Sequence, residues 1–313
     1  MKAIVAHRYG APETLTVEEV EKPAVEPDQV LVRVRASSVN PYDWHLLRGS
    51  PFLVRLSGGL FKPKNGVLGV DAAGVVEQVG ANVTHVAPGD EVFGARNGAF
   101  AEYVSGKNFI PKPANLTFEQ AGAVGIAGIT ALQAVRDKTG VQAGHKVLVN
   151  GAAGGVGTFA VQIAKAYGAD VTAVCSARNA DLVRSIGADR VVDYSVADYT
   201  REGRRYDAIV DCMGNHGVLA NRRALTPNGA LVRVGGPLRG MVTMLLLSRL
   251  VRQRIGFFLA AINRDDLAVL AELMAAGKVT PVIDRTYPLG EVPEAIAYLE
   301  EGHARGKVVI SVS

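Results

Sequence analysis

The stretch NGAAGGVGTFA, residues 150–160, decides how this chain is read. It follows the short apolar run KVLVN (146–150) and opens TFAVQIAKAY, whose apolar spacing is helical. That helix stops at Gly168, a natural C-terminal cap, and DVTAVC (170–175) is the next strand. Strand, glycine loop, helix and second strand form the context that separates a dinucleotide fingerprint from a chance match. Ala152, Gly154 and Gly157 occupy the spacing A-x-G-x-x-G. Without a side chain, Gly154 lets the backbone approach a pyrophosphate, and Gly157 lets helix pack on strand. The helix start turns free N–H groups and the positive end of its dipole toward the phosphates. The expected cradle is Ala153, Gly154, Gly155, Val156 and Gly157, with Ala152 where a glycine is usual.

The second strand selects the dinucleotide. An NAD site usually ends that strand with an acid for the ribose hydroxyls. Here it ends Cys175-Ser176-Ala177-Arg178-Asn179, with no acid before Asp181. Ser176 can donate to a 2′-phosphate and Arg178 can pair with it in a fork, which points to NADP(H).

Outward from this unit the rhythm continues. ADLVRSI reads as a helix ended by Gly187, and RVVDY, YDAIVDCM and ALVRVGG as three more strands, with 255–260 a candidate sixth. Alternation of strand and helix predicts a doubly wound parallel sheet. The first third is different. MKAIVAH, TLTVEEV, QVLVRVRASSV and AAGVVEQVGANV alternate or run apolar between turn residues, including Pro88-Gly89-Asp90, and predict a barrel-like β domain. The tail has a helix at 264–277, short strands and the final KVVISV, which can complete that first domain. The expected division is 1–116 with 263–313 around a central 117–262.

Composition sets limits. The chain has 313 residues, 48% hydrophobic and 20% charged, with a net charge of +4, as in ordinary globular proteins. No basic run suggests a nucleic-acid partner. The start, MKAIVAHRYGAPETL, holds no long apolar core, so no signal peptide is expected. Arg249, Arg252 and Arg254 interrupt the apolar stretch 241–262, which argues against a membrane span. Cys175 and Cys212 lie in strand-like runs and suggest no disulfide framework, so a cytoplasmic protein is expected. The six histidines are dispersed and no C-x-x-C exists, so no metal site is expected.

The chain resembles the medium-chain dehydrogenase/reductase superfamily, in its zinc-free, zeta-crystallin-like quinone oxidoreductase branch. The likeness rests on VRVRASSVNPYDWHLLRG (32–49), LGVDAAGVVEQVG (68–80), VAPGDEVFG (86–94), GAFAEYV (98–104), GITAL (128–132), NGAAGGVG (150–157) and GKVVISV (306–312). It implies a GroES-like β-barrel domain from both chain ends around a central Rossmann domain, with the nucleotide in the cleft between them. Zinc-dependent relatives carry Cys at the position of Asn40 and a His-Glu pair at Val70-Asp71, and the lobe with four cysteines is missing. That leaves no Lewis acid for an alkoxide, so the expected chemistry is reduction of a quinone or an α,β-unsaturated carbonyl.

The resemblance further implies Thr130, Tyr194, Lys307 and Asn40 as cofactor contacts. Val234, Gly235 and Gly236 are expected along the nicotinamide ribose, with Phe258, between Phe257 and Leu259, nearby. Asn40-Pro41-Tyr42-Asp43-Trp44-His45 is the candidate catalytic stretch. Asn40 and Tyr42 can donate to a developing oxyanion, Trp44 offers an apolar wall, Asp43 anchors the loop or relays a proton, and His45 is a titratable donor. A homodimer is expected, with 241–262 as its surface or as a substrate-pocket wall. Two rival functions stand beside this one. One is a zinc-free alcohol or aldehyde oxidoreductase. The other is an NADPH-binding redox-sensing or RNA-binding module with little catalysis.

Overall fold

The computed structural model describes residues 1–64, 66–234, 243–245, 248 and 250–312. It divides into two compact units, Met1–Ala127 with Ile262–Ala275 and Pro281–Ser313, and Gly128–Ala261 with Ala276–Thr280.

In the first unit β1 (Lys2–Val5) and β2 (Thr16–Glu19) pair antiparallel. A larger sheet runs in the order β14 (Ile283–Pro288), β15 (Lys307–Ser311), β3 (Val30–Val39), β4 (Asp71–Val79), β5 (Glu91–Ala95), β7 (Phe109–Pro111). β6 (Tyr103–Gly106) also pairs with β3. β14 and β15 are parallel and the other pairs antiparallel. Val32, Val34, Leu47, Phe100, Phe109, Val308 and Ile310 share one core. Burial of these side chains is what draws the carboxyl-terminal strand onto β3.

The unit edges differ from the expected 116/117 and 262/263. Helix α3 (Phe118–Gly122) has a capping box, with Gln120 N–H on Thr117 Oγ1 and Thr117 N–H on Gln120 Oε1. It packs on β3 and β4, and Ala36, Ala123 and Val309 form one cluster with Phe118 and Ile283. Residues 117–127 therefore belong with the β unit. Residues 276–280 go to the other unit, where the Gln162 amide exchanges two hydrogen bonds with the backbone of Thr280.

The second unit holds a six-stranded sheet whose pairs are all parallel. Its order is β10 (Arg190–Asp193), β9 (Asp170–Cys175), β8 (Lys146–Asn150), β11 (Tyr206–Asp211), β12 (Leu225–Arg233), β13 (Arg254–Phe257). Within the unit this is 3-2-1-4-5-6, the doubly wound dinucleotide order. The order reverses between β8 and β11, so the glycine loop leaves the sheet at the switch point where such folds bind ligands. The sixth strand is Arg254–Phe257, three residues earlier at its end than the expected 255–260. Gly235 and Gly236, and Met241, Val242, Leu246, Leu247 and Arg249 of the 241–262 stretch, lie outside the described residues. Met244 is buried in the core with Leu225, Leu231 and Ile255. Among the described residues no helix is long and apolar enough to cross a membrane.

Candidate active site

The glycine loop joins the end of β8 to a helix start. Gly151, at φ +80°, makes the turn out of β8, and the N–H groups of Gly151 and Ala152 both donate to Val174 O. The left-handed position is therefore Gly151, one residue before the fingerprint's first place, which explains why Ala152 is tolerated there. Ala152 is fully buried. Gly154 caps α5 (Gly155–Ala166) in extended conformation, and a Cβ there would meet only Gly151 O, at 3.5 Å. At Gly157 a Cβ would fall 2.1 Å from Gly151 O, so that glycine is the packing one. Gly154, Gly155 and Val156 remain partly exposed, and the first-turn amides of an α-helix have no intrahelical acceptor. Open space over Gly154 beside a helix start fits the pyrophosphate of a nicotinamide dinucleotide.

β9 ends at Cys175, and Ser176 and Arg178 follow it. Asp193 of β10 stands opposite Cys175, and Tyr194 N–H donates to Cys175 O. Ser176 and Tyr194 thus leave neighbouring strands at one sheet edge. Tyr194 is 60% exposed and Arg178 is exposed. Asp181 is paired with Arg184, and Asp193 accepts from Ser195, so neither acid engages Arg178. Cys175 is buried, and burial pushes its thiol up to about 11. Burial, with Asp211 beside it, pushes the thiol of Cys212 higher still. Thr130, Val234 and Phe258 are half-buried, and the ammonium of Lys138 lies over the Phe258 ring, 5.2 Å from its centroid.

Three polar residues end three adjacent strands here, and sequence reading passed over them. Asn150 closes β8, Asp211 β11 and Arg233 β12, in register with one another. Asn150 Nδ2 donates to Asp211 Oδ1 and Asn215 Oδ1, both at 2.8 Å. Arg233 reaches Asp211 Oδ2 at 3.1–3.2 Å and His216 O at 2.8 Å. Met213 and Gly214 N–H close on Asp211 Oδ1. The network fixes the loop after β11. Its signal was available: a polar residue closing each of three otherwise apolar strands.

The first unit holds the other candidate residues. Asn40-Pro41-Tyr42-Asp43-Trp44-His45 is the start of a helix rather than a loop. α1 (Pro41–Arg48) has Pro41 at its first position, Asp43 Oδ2 accepting Asn40 N–H at 2.8 Å, and Gly49 in the left-handed cap. Asn40 is 2% exposed. Its amide hydrogens go to Asp71 Oδ2 (2.9 Å) and Ser38 O (3.2 Å), and its Oδ1 accepts from Lys307 Nζ. This differs from the expected role of oxyanion donor, because no amide hydrogen is left to donate. Lys307, expected on the cofactor, is 3% exposed and also reaches Val39 O and Asp71 Oδ2 at 3.4 Å. Asp71 completes its set with Ser38 Oγ and with Ile126 N–H at 2.7 Å. Only glycine fits at 125, where a Cβ would lie 2.2 Å from Asp71 Oδ1.

Asp43 is fully buried with Oδ1 unpaired among the described residues, and burial, reinforced by Asp71, pushes its carboxyl up to about 7. Burial lowers the Lys307 ammonium, while Asp71 and Asp43 hold it partly up. Trp44 packs on the core, and its ring lies 3.7 Å from that of His45. His45 Nδ1 meets Ser50 O at 2.6 Å, so Nδ1 carries the hydrogen and Nε2 is the free nitrogen. Tyr42 is 41% exposed.

This donor set does not fit zinc. The positions that bear metal ligands in zinc-dependent relatives hold an amide, buried Val70 and a carboxylate already engaged by an ammonium. Among the described residues no three His, Cys, Asp or Glu are grouped to hold a metal.

Comparison with known proteins agrees with this architecture. Residues 26–114 match the alcohol dehydrogenase GroES-like domain and residues 186–310 a family described as zinc-binding dehydrogenase. The chain is 35% identical to the mouse (Mus musculus) mitochondrial NAD(P)H oxidoreductase RTN4IP1, over all of this chain and 89% of that protein. It is 34% identical to the chloroplastic NADPH-dependent alkenal/one oxidoreductase of Arabidopsis thaliana, over 99% of this chain and 79% of that one. The structure of the quinone oxidoreductase from Coxiella burnetii superposes with TM-score 0.88 at 32% identity, over 100% of this chain and 99% of that one. The cytoplasmic expectation is overturned by these relatives, which are named mitochondrial and chloroplastic. Its basis was free cysteines, and these mark a reducing environment rather than the cytosol in particular. On shared sequence along its whole length and a shared fold, the chain belongs to the medium-chain dehydrogenase/reductase superfamily, in its quinone oxidoreductase branch.

Proposed function

We propose that the protein is a zinc-independent, NADPH-dependent oxidoreductase that reduces a quinone or an α,β-unsaturated carbonyl. The observation that carries the coenzyme choice is the end of β9, where the acid of an NAD site is missing and Arg178 stands exposed with no carboxylate. Likeness to proteins named quinone oxidoreductase and alkenal/one oxidoreductase supports the acceptor class.

Bound NADPH supplies the hydride. The amides of Gly155, Val156 and Gly157 would hold its pyrophosphate, and Ser176 and Arg178 its 2′-phosphate. Ala153, Gly154 and Tyr194 would serve the adenosine half. Thr130, Val234 and Phe258 would serve the nicotinamide half, with Gly235, which lies outside the described residues. The Tyr42 hydroxyl, or His45 through Nε2 when protonated, donates to the acceptor oxygen as charge develops there. An enone gains hydride at its β-carbon and a proton at its α-carbon, and a quinone gains hydride and proton to become a hydroquinone. Asn40 serves as a positioning residue, setting Lys307 against Asp71, and Asp43 anchors the helix start. The edge strand β13 with exposed Phe257 and Leu259 is the surface proposed for a homodimer, which light scattering of F257D would test.

The deciding experiment is steady-state oxidation of NADPH and NADH by Arg178→Ala with a quinone and an enone. A charge-assisted hydrogen bond is worth about 1.5–3 kcal/mol, so KM for NADPH should rise about 10- to 100-fold. KM for NADH should stay unchanged. An equal rise for both coenzymes refutes the assignment of Arg178. No turnover of any quinone or enone refutes the acceptor class. Tyr42→Phe should lower kcat and leave KM for NADPH unchanged.

A further inference from the structure

From Cys212 to Arg264 the sequence carries eight arginines and no Asp, Glu or Lys. The arginines are spaced along the chain, so no basic run shows, but the fold brings two of them, Arg222 and Arg223, beside Arg205. Arg205 immediately precedes β11, Arg222 and Arg223 end the helix before β12, and Gln253 immediately precedes β13. In a parallel sheet these are the amino-terminal ends of three adjacent strands. The glycine loop leaves the carboxyl-terminal end of β8, at the other edge of the same sheet. At the amino-terminal edge, Arg205, Arg222, Arg223 and Gln253 line a recess of about 480 Å³ flanked by Leu219 and Pro227.

Several other arginines of this unit face carboxylates. Arg190 meets Glu202 at 2.8 Å, Arg204 meets Asp170 at 2.7 Å, Arg201 meets Asp198 at 3.3 Å, and Arg233 meets Asp211. In the recess the guanidinium partners are neutral. Arg205 is held by the carbonyl of Arg223, and Arg222 Nε donates to Gln253 Oε1 at 2.7 Å. Gln253 is held in turn by Thr226 O. These partners are neutral: they orient two guanidinium groups and leave their charge uncompensated. The nearest acid in sequence, Asp207, is turned to Lys146 N–H and Thr226. Among the described residues no acid lines the recess, and no aromatic side chain is there for a base to stack on. Pre-oriented guanidinium forks match phosphate oxygens in pairs.

We propose that this recess is a second anion site, separate from the dinucleotide loop, for a ligand carrying adjacent phosphate groups, free in solution or as a phospholipid headgroup. The test uses the full chain with Arg222→Gln/Arg223→Gln, and with the single variant Arg223→Gln. The single variant removes an exposed side chain from the helix end and keeps the Arg222–Gln253 contact, and both variants are checked by thermal melting. Inorganic pyrophosphate is titrated calorimetrically at low salt with the glycine loop saturated by NADPH. In parallel, the protein is floated with vesicles of phosphatidylcholine alone or with added phosphatidylinositol bisphosphate whose two phosphates are adjacent. The expected result is binding of pyrophosphate or of the acidic vesicles, weakened about fivefold by the single variant and about 25-fold by the double. It should fade as salt rises. Pyrophosphate binding alone assigns a soluble ligand, and vesicle binding lost in the variants assigns a headgroup. Binding that the variants leave unchanged, or no binding of either probe by the parent, overturns the proposal.

Discussion

Each unit buries one ion pair at the end of its sheet, and the two are built differently. Arg233 and Asp211 lie in the parallel sheet. The guanidinium fork spans one carboxylate and a carbonyl, and Asp211 also takes Asn150, Met213 and Gly214 as donors. Lys307 and Asp71 lie in the mixed sheet. Their ammonium is a point charge 3.4 Å from the carboxylate, and a second carboxyl, Asp43, stands by with an unpaired oxygen. Two carboxyls and one ammonium cannot all be charged cheaply away from water. The first pair is a saturated strap. The second is a group with one carboxylate more than its ammonium can neutralise, and Asp43 keeps its proton instead.

The comparison breaks most readily at the strap. Asp211→Ala leaves Arg233 charged, buried and unpaired, and should cost about 3–5 kcal/mol, read as the free energy of urea unfolding. A loss below about 1 kcal/mol would show that the pair does not hold the strand ends. The second expectation concerns pH. The folded pKa of Asp43, about 7, lies above its usual 3.8. The native state therefore keeps a proton that the unfolded chain has lost between about pH 4 and pH 7. Stability falls as pH rises through that window and is flat above it, by at most about 4 kcal/mol. Asp43→Asn should remove this slope and melt higher than the parent at pH 8. Identical pH profiles would place the proton elsewhere. Lys307→Met should move the end of the window upward, since the ammonium, after the Asn40 N–H bond, opposes the shift.

The smallest effects separate two glycines three residues apart. Gly151→Ala forces a side chain into the left-handed region and should cost about 1–2 kcal/mol of stability with little direct effect on coenzyme. Gly154→Ala meets no crowding in the protein and should leave the melting temperature unchanged while weakening NADPH binding. If both variants behaved alike, the cradle and the turn would be one function.

These cases also show what a sequence can carry. The strand, loop and helix around Gly154 were legible because their signals are local: periodicity, glycine spacing and a cap at Gly168. The parallel pairing of the sheet followed from the alternation of elements. Asn40 and Lys307 were legible as positions, but their side chains were not, because the partners are 267 residues apart in sequence and meet only when β15 pairs with β3. Asn40 therefore read as a free donor when it is enclosed between an ammonium and a carboxylate. The α1 helix was missed because Asn-Pro-Tyr-Asp is equally good turn chemistry, and Leu47 settles the matter by packing in the core. Residues 117–127 were given to the wrong neighbour because a cap at Thr117 announces a helix without saying which sheet it covers.

The two cysteines acquire a meaning from the proposed substrates. Enones are electrophiles that alkylate thiolates, and an enzyme that gathers them is exposed to its own reactant. With its thiol at about 11, buried Cys175 is thiolate in roughly one molecule in ten thousand at neutral pH. Cys212 is poorer still in thiolate. Neither cysteine is a ready thiolate for the molecules the chain is built to reduce.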